Sequence, residues 1–220
     1  HARQHAVGMP VEVYRYPKDR TVRVGVPVDQ SFSAPSASQQ AAWRKALGVA
    51  GQAPVICLTG GGNGSELLND CLLDVKEALW QVQPSLIIVH IAGRKHEAAV
   101  RQAYGEESRV KVLGFTSELY KYTGIADIVI TRAGATTLAD LAVQQRACIV
   151  VPNPLLTGGH QLKNAEALAA EQAITVIDEA DLKQDSTVLA DAVIDLLEHT
   201  EKRRQLAKRL ASQARPHAAV

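Results

Sequence analysis

Apolar residues are spaced in two ways along this chain, and from residue 54 onward the two ways alternate. Short, nearly continuous apolar runs occur at 54–58, 85–91, 109–113, 127–131, 147–151 and 173–177. Runs of that length read as buried strands. Between them lie stretches whose apolar residues recur every three or four positions, at 65–81, 95–104, 117–124, 135–145 and 160–171, with two more at 187–198 and 200–213. That spacing predicts helices with one apolar face. Alternation of this kind predicts an α/β fold, a Rossmann-like parallel sheet with helices on both faces. Right-handed crossovers then place the loops after the strands along one edge, which is where such sheets bind ligands.

The first 53 residues follow no such rhythm. Alternating residues at 11–16 and 21–24 predict short strands, 31–38 is a Ser/Pro/Ala loop, and 39–47 predicts a helix. Pro17, Pro27 and Pro35 interrupt the pattern. The division expected is a residual upstream segment or linker over 1–20 and one binding domain over 21–220, with no internal repeat.

Composition narrows the function classes. Lys and Arg total 24 against 23 Asp and Glu in 220 residues, so no basic excess points to nucleic acid. Aromatics are 4%, too few for base-stacking platforms. The apolar runs are far shorter than a membrane span. Cys57, Cys71 and Cys148 have no metal-ligand spacing and are expected as small core residues in a reducing compartment. The first residue is His1 rather than methionine, so a piece excised from a longer protein is expected.

Chemistry concentrates in the loops after the strands. Thr59-Gly60-Gly61-Gly62-Asn63-Gly64-Ser65 joins a strand to a helix. Such a turn gathers unpaired N–H groups at the positive end of a helix, a site for phosphate. It lacks the lysine of a Walker loop, and Leu67 stands where the dinucleotide fingerprint needs its third glycine. ATP and NAD are therefore disfavoured; a tight turn without a ligand has the same local signature. A second strand-to-helix turn runs through Arg132, Ala133, Gly134, Ala135, Thr136 and Thr137, with Asp140 one turn later. It reads either as an anion site with a carboxylate for sugar hydroxyls or as an ordinary helix start. The third loop, 152–159, leads into His160, Gln161 and Asn164. An imidazole and two amides at a helix start suit an uncharged sugar, or serve as capping and a solvated face.

Taken together, these loops resemble glycosyltransferase family 28. The resemblance rests on the run TGGGNGSELLN at 59–69, on His90 to Gly93, Phe115 to Ser117, Thr131 to Asp140 and His160 to Ala165, and upstream on the Gly-x-Pro-Val segment at 25–28. It covers about 21–215 and is nearest to the N-acetylglucosaminyltransferases of peptidoglycan synthesis. It implies the C-terminal, donor-binding half of a GT-B enzyme that inverts the anomeric centre without a metal or other cofactor. The implied reaction moves N-acetylglucosamine from UDP-N-acetylglucosamine to a lipid-linked peptidoglycan precursor. By the same resemblance, backbone at Gly61, Gly62, Asn63, Gly64 and Ser65, and at Gly134, Ala135, Thr136 and Thr137, holds the diphosphate. Phe115 and Thr116 frame the uracil, Asp140 binds the ribose, His160 and Gln161 meet the sugar, and Asn164 supports them.

The chain departs from the family at Asp140, where glutamate is usual, at Ile91, where glutamine follows the histidine, and at Asp29, where arginine is typical. Diacylglycerol glycosyltransferases share the Gly-x-Pro-Val segment, so the acceptor stays open. A free-standing donor-binding subunit and a non-catalytic UDP-sugar sensor are the competing readings. The resemblance also implies a missing N-terminal domain bearing the catalytic base, the lipid acceptor site and all membrane contact. The fragment alone is then inactive, and the whole enzyme sits at the cytoplasmic face of the membrane. The basic helix 200–213 is expected as a solvated face docked on the domain, and His96, His199 and His217 as surface residues.

Overall fold

The computed structural model describes residues 3–49, 51–155, 159–215 and 218. Loop positions 156–158, His1 and His217 lie outside the described residues. A lead-in comprises β1 (His5–Val7), 3-10 turns at Val11–Val13 and Lys18–Arg20, β2 (Thr21–Arg23) and α1 (Ala37–Ala46). Then β3 (Val55–Thr59), α2 (Glu66–Val82), β4 (Ile87–Ile91), α3 (Glu97–Tyr104), β5 (Val110–Leu113), α4 (Leu119–Ile125), β6 (Ile128–Thr131), α5 (Ala135–Val143), β7 (Ala147–Val150), α6 (His160–Ala170) and β8 (Thr175–Val176) follow in alternation. The chain continues with α7 (Glu179–Gln184), α8 (Thr187–Glu198) and α9 (Thr200–Ser212).

β3 to β8 form one parallel sheet in the order β5-β4-β3-β6-β7-β8. The four central strands, β4, β3, β6 and β7, are buried on both faces, which is why their sequences are nearly continuous apolar runs rather than alternating ones. The two-residue period of the strand divides the core. Ile56, Leu58, Ile88, Ile130 and Ile149 pack under α2, α3 and α8. Cys57, Val89, Ile91, Val129 and Val150 pack under α4, α5 and α6. The three cysteines are buried as expected, and burial pushes the Cys57 thiol up to about 12.

The lead-in is where expectation and structure part. Residues 11–16 alternate like a strand, yet Val11–Val13 is a 3-10 turn closed by Val13 N–H to the Pro10 carbonyl at 3.0 Å. The strand of this region is instead His5–Val7, paired in parallel with Thr21–Arg23. Met9 and Val13 are buried in the same cluster as the main sheet, so the segment packs onto the domain. The helix α7 was not anticipated, because in Glu179–Gln184 only Ala180 and Leu182 are apolar.

The sheet order doubles back at β3. The chain moves outward from β3 to β4 and β5, then returns to add β6, β7 and β8 on the other side. Thr59 and Thr131 are register partners at the carboxyl ends of adjacent strands. The loops that leave β3 and β6 therefore diverge to opposite faces and open a crevice between them.

Candidate active site at the switch point

The glycine-rich loop is shaped by its neighbours. Gly61 and Gly64 have φ of 84° and 76°, and the Gly64 N–H closes the turn on the Gly61 carbonyl at 3.0 Å. A Cβ on Gly64 would stand 2.1 Å from the Ala92 carbonyl oxygen, and one on Gly93 would stand 2.6 Å from that of Asn63. The loops after β3 and β4 thus touch backbone to backbone, which only glycine allows. Ser65 caps α2, its hydroxyl accepting from the Leu68 N–H at 3.5 Å.

A hydrogen-bond relay fixes that contact from beneath. Asn69 Nδ2 donates to the Ala92 carbonyl at 3.0 Å, so Asn69 Oδ1 faces His90 Nε2 at 2.9 Å. His90 Nε2 therefore carries the ring proton, and Nδ1 accepts from the Tyr104 hydroxyl at 3.0 Å. His90 is fully buried, and desolvation lowers its pKa to about 4, which keeps the relay neutral. The relay joins α3, β4 and α2, and it aims the N-terminus of α2 at the crevice.

Arg132, at the end of β6, crosses the same crevice. It donates to the Ser65 hydroxyl through Nε at 3.2 Å and Nη2 at 2.9 Å, and to the Val151 carbonyl at 3.2 Å. Glu179 accepts from Arg132 at 2.5 Å and pairs with Lys183 at 2.6 Å. Burial alone would raise the Glu179 carboxyl, but hydrogen bonds from Lys183 and Arg132 outweigh it and hold the pKa below its ordinary value. Ser65 Oγ accepts from the Arg132 guanidinium and, at 3.5 Å, from the Leu68 N–H, so its own hydrogen is left to donate.

Two neighbouring cavities occupy this edge. The larger, about 490 Å³, is lined by the loop from Gly60 to Leu67 with Arg132, Asn153 and Gln161. The smaller, about 100 Å³, shares Gly61 and Gly62 and adds Phe115, Thr116, Leu119 and Thr137. Phe115 is 52% exposed, with the Arg94 guanidinium 4.4 Å from its ring centroid. Gln161 accepts from the Asn153 N–H at 2.9 Å, which leaves its NH₂ for a ligand.

The chain belongs to glycosyltransferase family 28. Residues 55–220 match the glycosyltransferase family 28 C-terminal domain. A relative from a Geobacter species, the UDP-N-acetylglucosamine--N-acetylmuramyl-(pentapeptide) pyrophosphoryl-undecaprenol N-acetylglucosamine transferase, is 31% identical over 97% of this chain and 55% of its own length. Among solved structures, MurG of Acinetobacter baumannii superposes with a TM-score of 0.72 at 24% identity, covering 97% of this chain and 56% of that one. Anabaena HepE, solved with UDP-glucose, gives 0.62 at 18% identity over 89% and 53%. The chain spans about half the length of the relatives it matches. Its fold is that of the C-terminal half of a GT-B glycosyltransferase.

Within this family 28 domain the residues singled out from sequence separate into groups. Gly61 to Ser65 and Gln161 line the larger cavity; Phe115, Thr116 and Thr137 line the smaller. Gly134 is the N-cap of α5, and Ala135 and Thr136 are its first residues, with Thr136 exposed. Asn164 is buried and donates to the Ala133 carbonyl at 3.0 Å, so it braces the β6–α5 turn. His160 is exposed at the start of α6. Asp140 is 8% exposed on α5; burial, then the Asp29 carboxylate, pushes its pKa up to about 6. Arg132, Glu179 and the Asn69–His90–Tyr104 relay carried no assignment from sequence. The signal for Arg132 was its position between a strand end and a glycine turn; Glu179, 47 residues away, gave none.

Proposed function

We propose that this chain is the donor-binding half of an inverting UDP-N-acetylglucosamine transferase acting on a lipid-linked peptidoglycan precursor. The observation that carries the reading is the convergence of the α2 and α5 N-termini, with their unpaired N–H groups, on one crevice at the switch point. In this assignment the diphosphate lies against Gly61 to Ser65 and the start of α5, with Arg132 beside it. Uracil lies by Phe115, Thr116 and Leu119, and ribose hydroxyls reach Asp140. The sugar meets His160 and the Gln161 amide, with Asn164 as brace. The acceptor hydroxyl attacks the anomeric carbon as the sugar–phosphate bond breaks, and the electron pair leaves on UDP. Helix N-termini and the Ser65 hydroxyl stabilise that growing charge. The base and the lipid acceptor site belong to a further domain, which also makes the contact with the cytoplasmic face of the membrane.

Titration calorimetry of this chain with UDP, UDP-N-acetylglucosamine, UDP-glucose and UDP-galactose tests the reading. The expected result is binding of UDP strengthened by the N-acetylglucosamine moiety, with Gln161→Ala removing the sugar increment. Absence of binding at millimolar nucleotide would overturn it. Sugar transfer to a lipid-linked acceptor by this chain alone would overturn the assignment of the base to another domain.

A further inference from the structure

The amino ends of β6 and β7 open onto a second cavity, about 410 Å³, on the edge of the sheet opposite the glycine loop. Arg44 from α1, Arg146 from the turn before β7, and Arg203 and Arg204 from α9 line it. One carboxylate, Asp127, is the only acidic group among its lining residues. That carboxylate is committed to the fold: it accepts the Val55 N–H at 2.9 Å and stands 3.8 Å from Arg203.

Part of this charge has a structural task. Parallel strands begin where the preceding helices end, so this edge collects helix carbonyls. Arg146 donates to the carbonyls of Gly124, Ala126 and Gln144, and Arg203 to those of Leu196 and Leu197. Arg44 holds the carbonyls of Gly51 and Ala53. Those bonds do not exhaust the guanidinium groups. Arg44 Nη1, Arg146 Nη2 and all of Arg204 have no hydrogen-bond partner among the described residues. None of them is among the fully buried unpaired atoms of the described residues, so each keeps some exposure, and Arg204 is exposed as a whole residue. Gln40, Gln52 and Gln145 line the same cavity, and their amides have no side-chain partner among the described residues.

We propose that this cavity is a second anion site, taking a phosphate-bearing ligand independently of the nucleotide crevice. Guanidinium donors approach from three separate elements, which matches the several oxygens of a phosphate better than the two of a carboxylate. No aromatic side chain lines the cavity, so nothing there would stack a nucleic-acid base. The phosphate comes either from a soluble organic phosphate or from a phospholipid headgroup, and the two sources are separable by experiment.

Pyrophosphate is titrated into the whole chain at low salt with saturating UDP present, so that the glycine loop is occupied. Arg204→Glu is the test variant, because Arg204 makes no bond that the fold needs. Lys208→Glu, the same charge change on the same helix but outside the cavity, controls for bulk charge. The expected result is binding that Arg204→Glu weakens about tenfold and Lys208→Glu leaves nearly unchanged. Equal affinity in the two variants, or pyrophosphate binding that disappears when UDP is added, would overturn the proposal. Cosedimentation with phosphatidylglycerol vesicles that Arg204→Glu abolishes would assign the phosphate to a headgroup. Solution binding without cosedimentation would assign it to a soluble ligand. No pyrophosphate binding and no cosedimentation would also overturn it.

Discussion

The two edges of one sheet solve opposite electrostatic problems. At the carboxyl edge, helices begin, and their N–H groups supply positive potential without spending side-chain charge. Glycine, small residues and a serine suffice there, and the one arginine that crosses, Arg132, is held by Glu179. At the amino edge, helices end, and their carbonyls supply negative potential. Arg146 and Arg203 satisfy those oxygens, and Arg44 the loop carbonyls of Gly51 and Ala53, before any ligand arrives. The lesson is that a parallel sheet carries a built-in polarity. A neutral-looking edge has positive potential from its backbone, and an arginine-rich edge is first of all compensating its own peptides.

Replacing Gly64 is the most severe way to break the contrast. Gly64→Ala places a methyl 2.1 Å from the Ala92 oxygen in a left-handed conformation. It should abolish UDP binding by calorimetry and lower the melting temperature, while pyrophosphate binding at the opposite edge persists. Unchanged UDP affinity would show that the loop backbone is not the anion site. Next in size, Arg146→Met strands three carbonyls and should cost about 3 kcal/mol in urea denaturation, with UDP affinity preserved in the folded protein. A loss under about 0.5 kcal/mol, the scale of a neutral surface substitution, would mean that this edge does not need its arginines.

Asn69→Leu tests the relay. It removes the donor to Ala92 and leaves the His90 N–H unpaired, so a cost of about 2 kcal/mol is expected together with weaker UDP binding. Tyr104→Phe touches only the far end of the relay and should cost about 1 kcal/mol with UDP affinity unchanged. Equal effects of the two on UDP would deny the relay its directional role.

The smallest effect concerns Asp140. Its carboxyl titrates at about 6, above its unfolded value, so the native chain holds that proton more tightly than the unfolded chain does. The stability this provides in acid is lost as pH rises through about 6. Asp140→Asn should therefore raise the melting temperature at pH 8 and leave it nearly unchanged at pH 4. The same substitution should weaken UDP at pH 8, where the carboxylate is available to ribose hydroxyls. Improved stability with unchanged UDP affinity would remove Asp140 from the site.

The sheet was legible because its central strands are nearly continuous apolar runs between helices of 3.6-residue period, and burial on both faces demands that pattern. The lead-in was not, because Val11, Val13, Tyr14 and Tyr16 give a strand-like composition to a segment that Pro10 and Pro17 bracket and that closes into a turn. The α7 helix escaped for lack of an apolar stripe, although Asp178, which caps it by accepting the Ala180 N–H at 2.7 Å, was its available signal. Within the candidate site, backbone groups were legible through glycine, since few other residues tolerate those conformations. Side-chain pairs such as Arg132 with Glu179, or His90 with Asn69, were not. Each partner has an ordinary local context, and only the folded arrangement of strands makes them neighbours.

The return of the chain to β3 has a kinetic consequence. Val55 and Asp127 are 72 residues apart in sequence, yet they are bonded across the pairing that forms the crevice. The glycine loop can take shape once β3 and β4 associate, but its opposite wall arrives only when β6 docks. In a refolding experiment, nucleotide affinity would therefore lag behind helix formation and mark the closure of β3 on β6, the strand pairing of this sheet with the largest loop entropy to overcome. A fluorescent UDP analogue would then be a clock for the topology of this domain as well as a ligand for its surface.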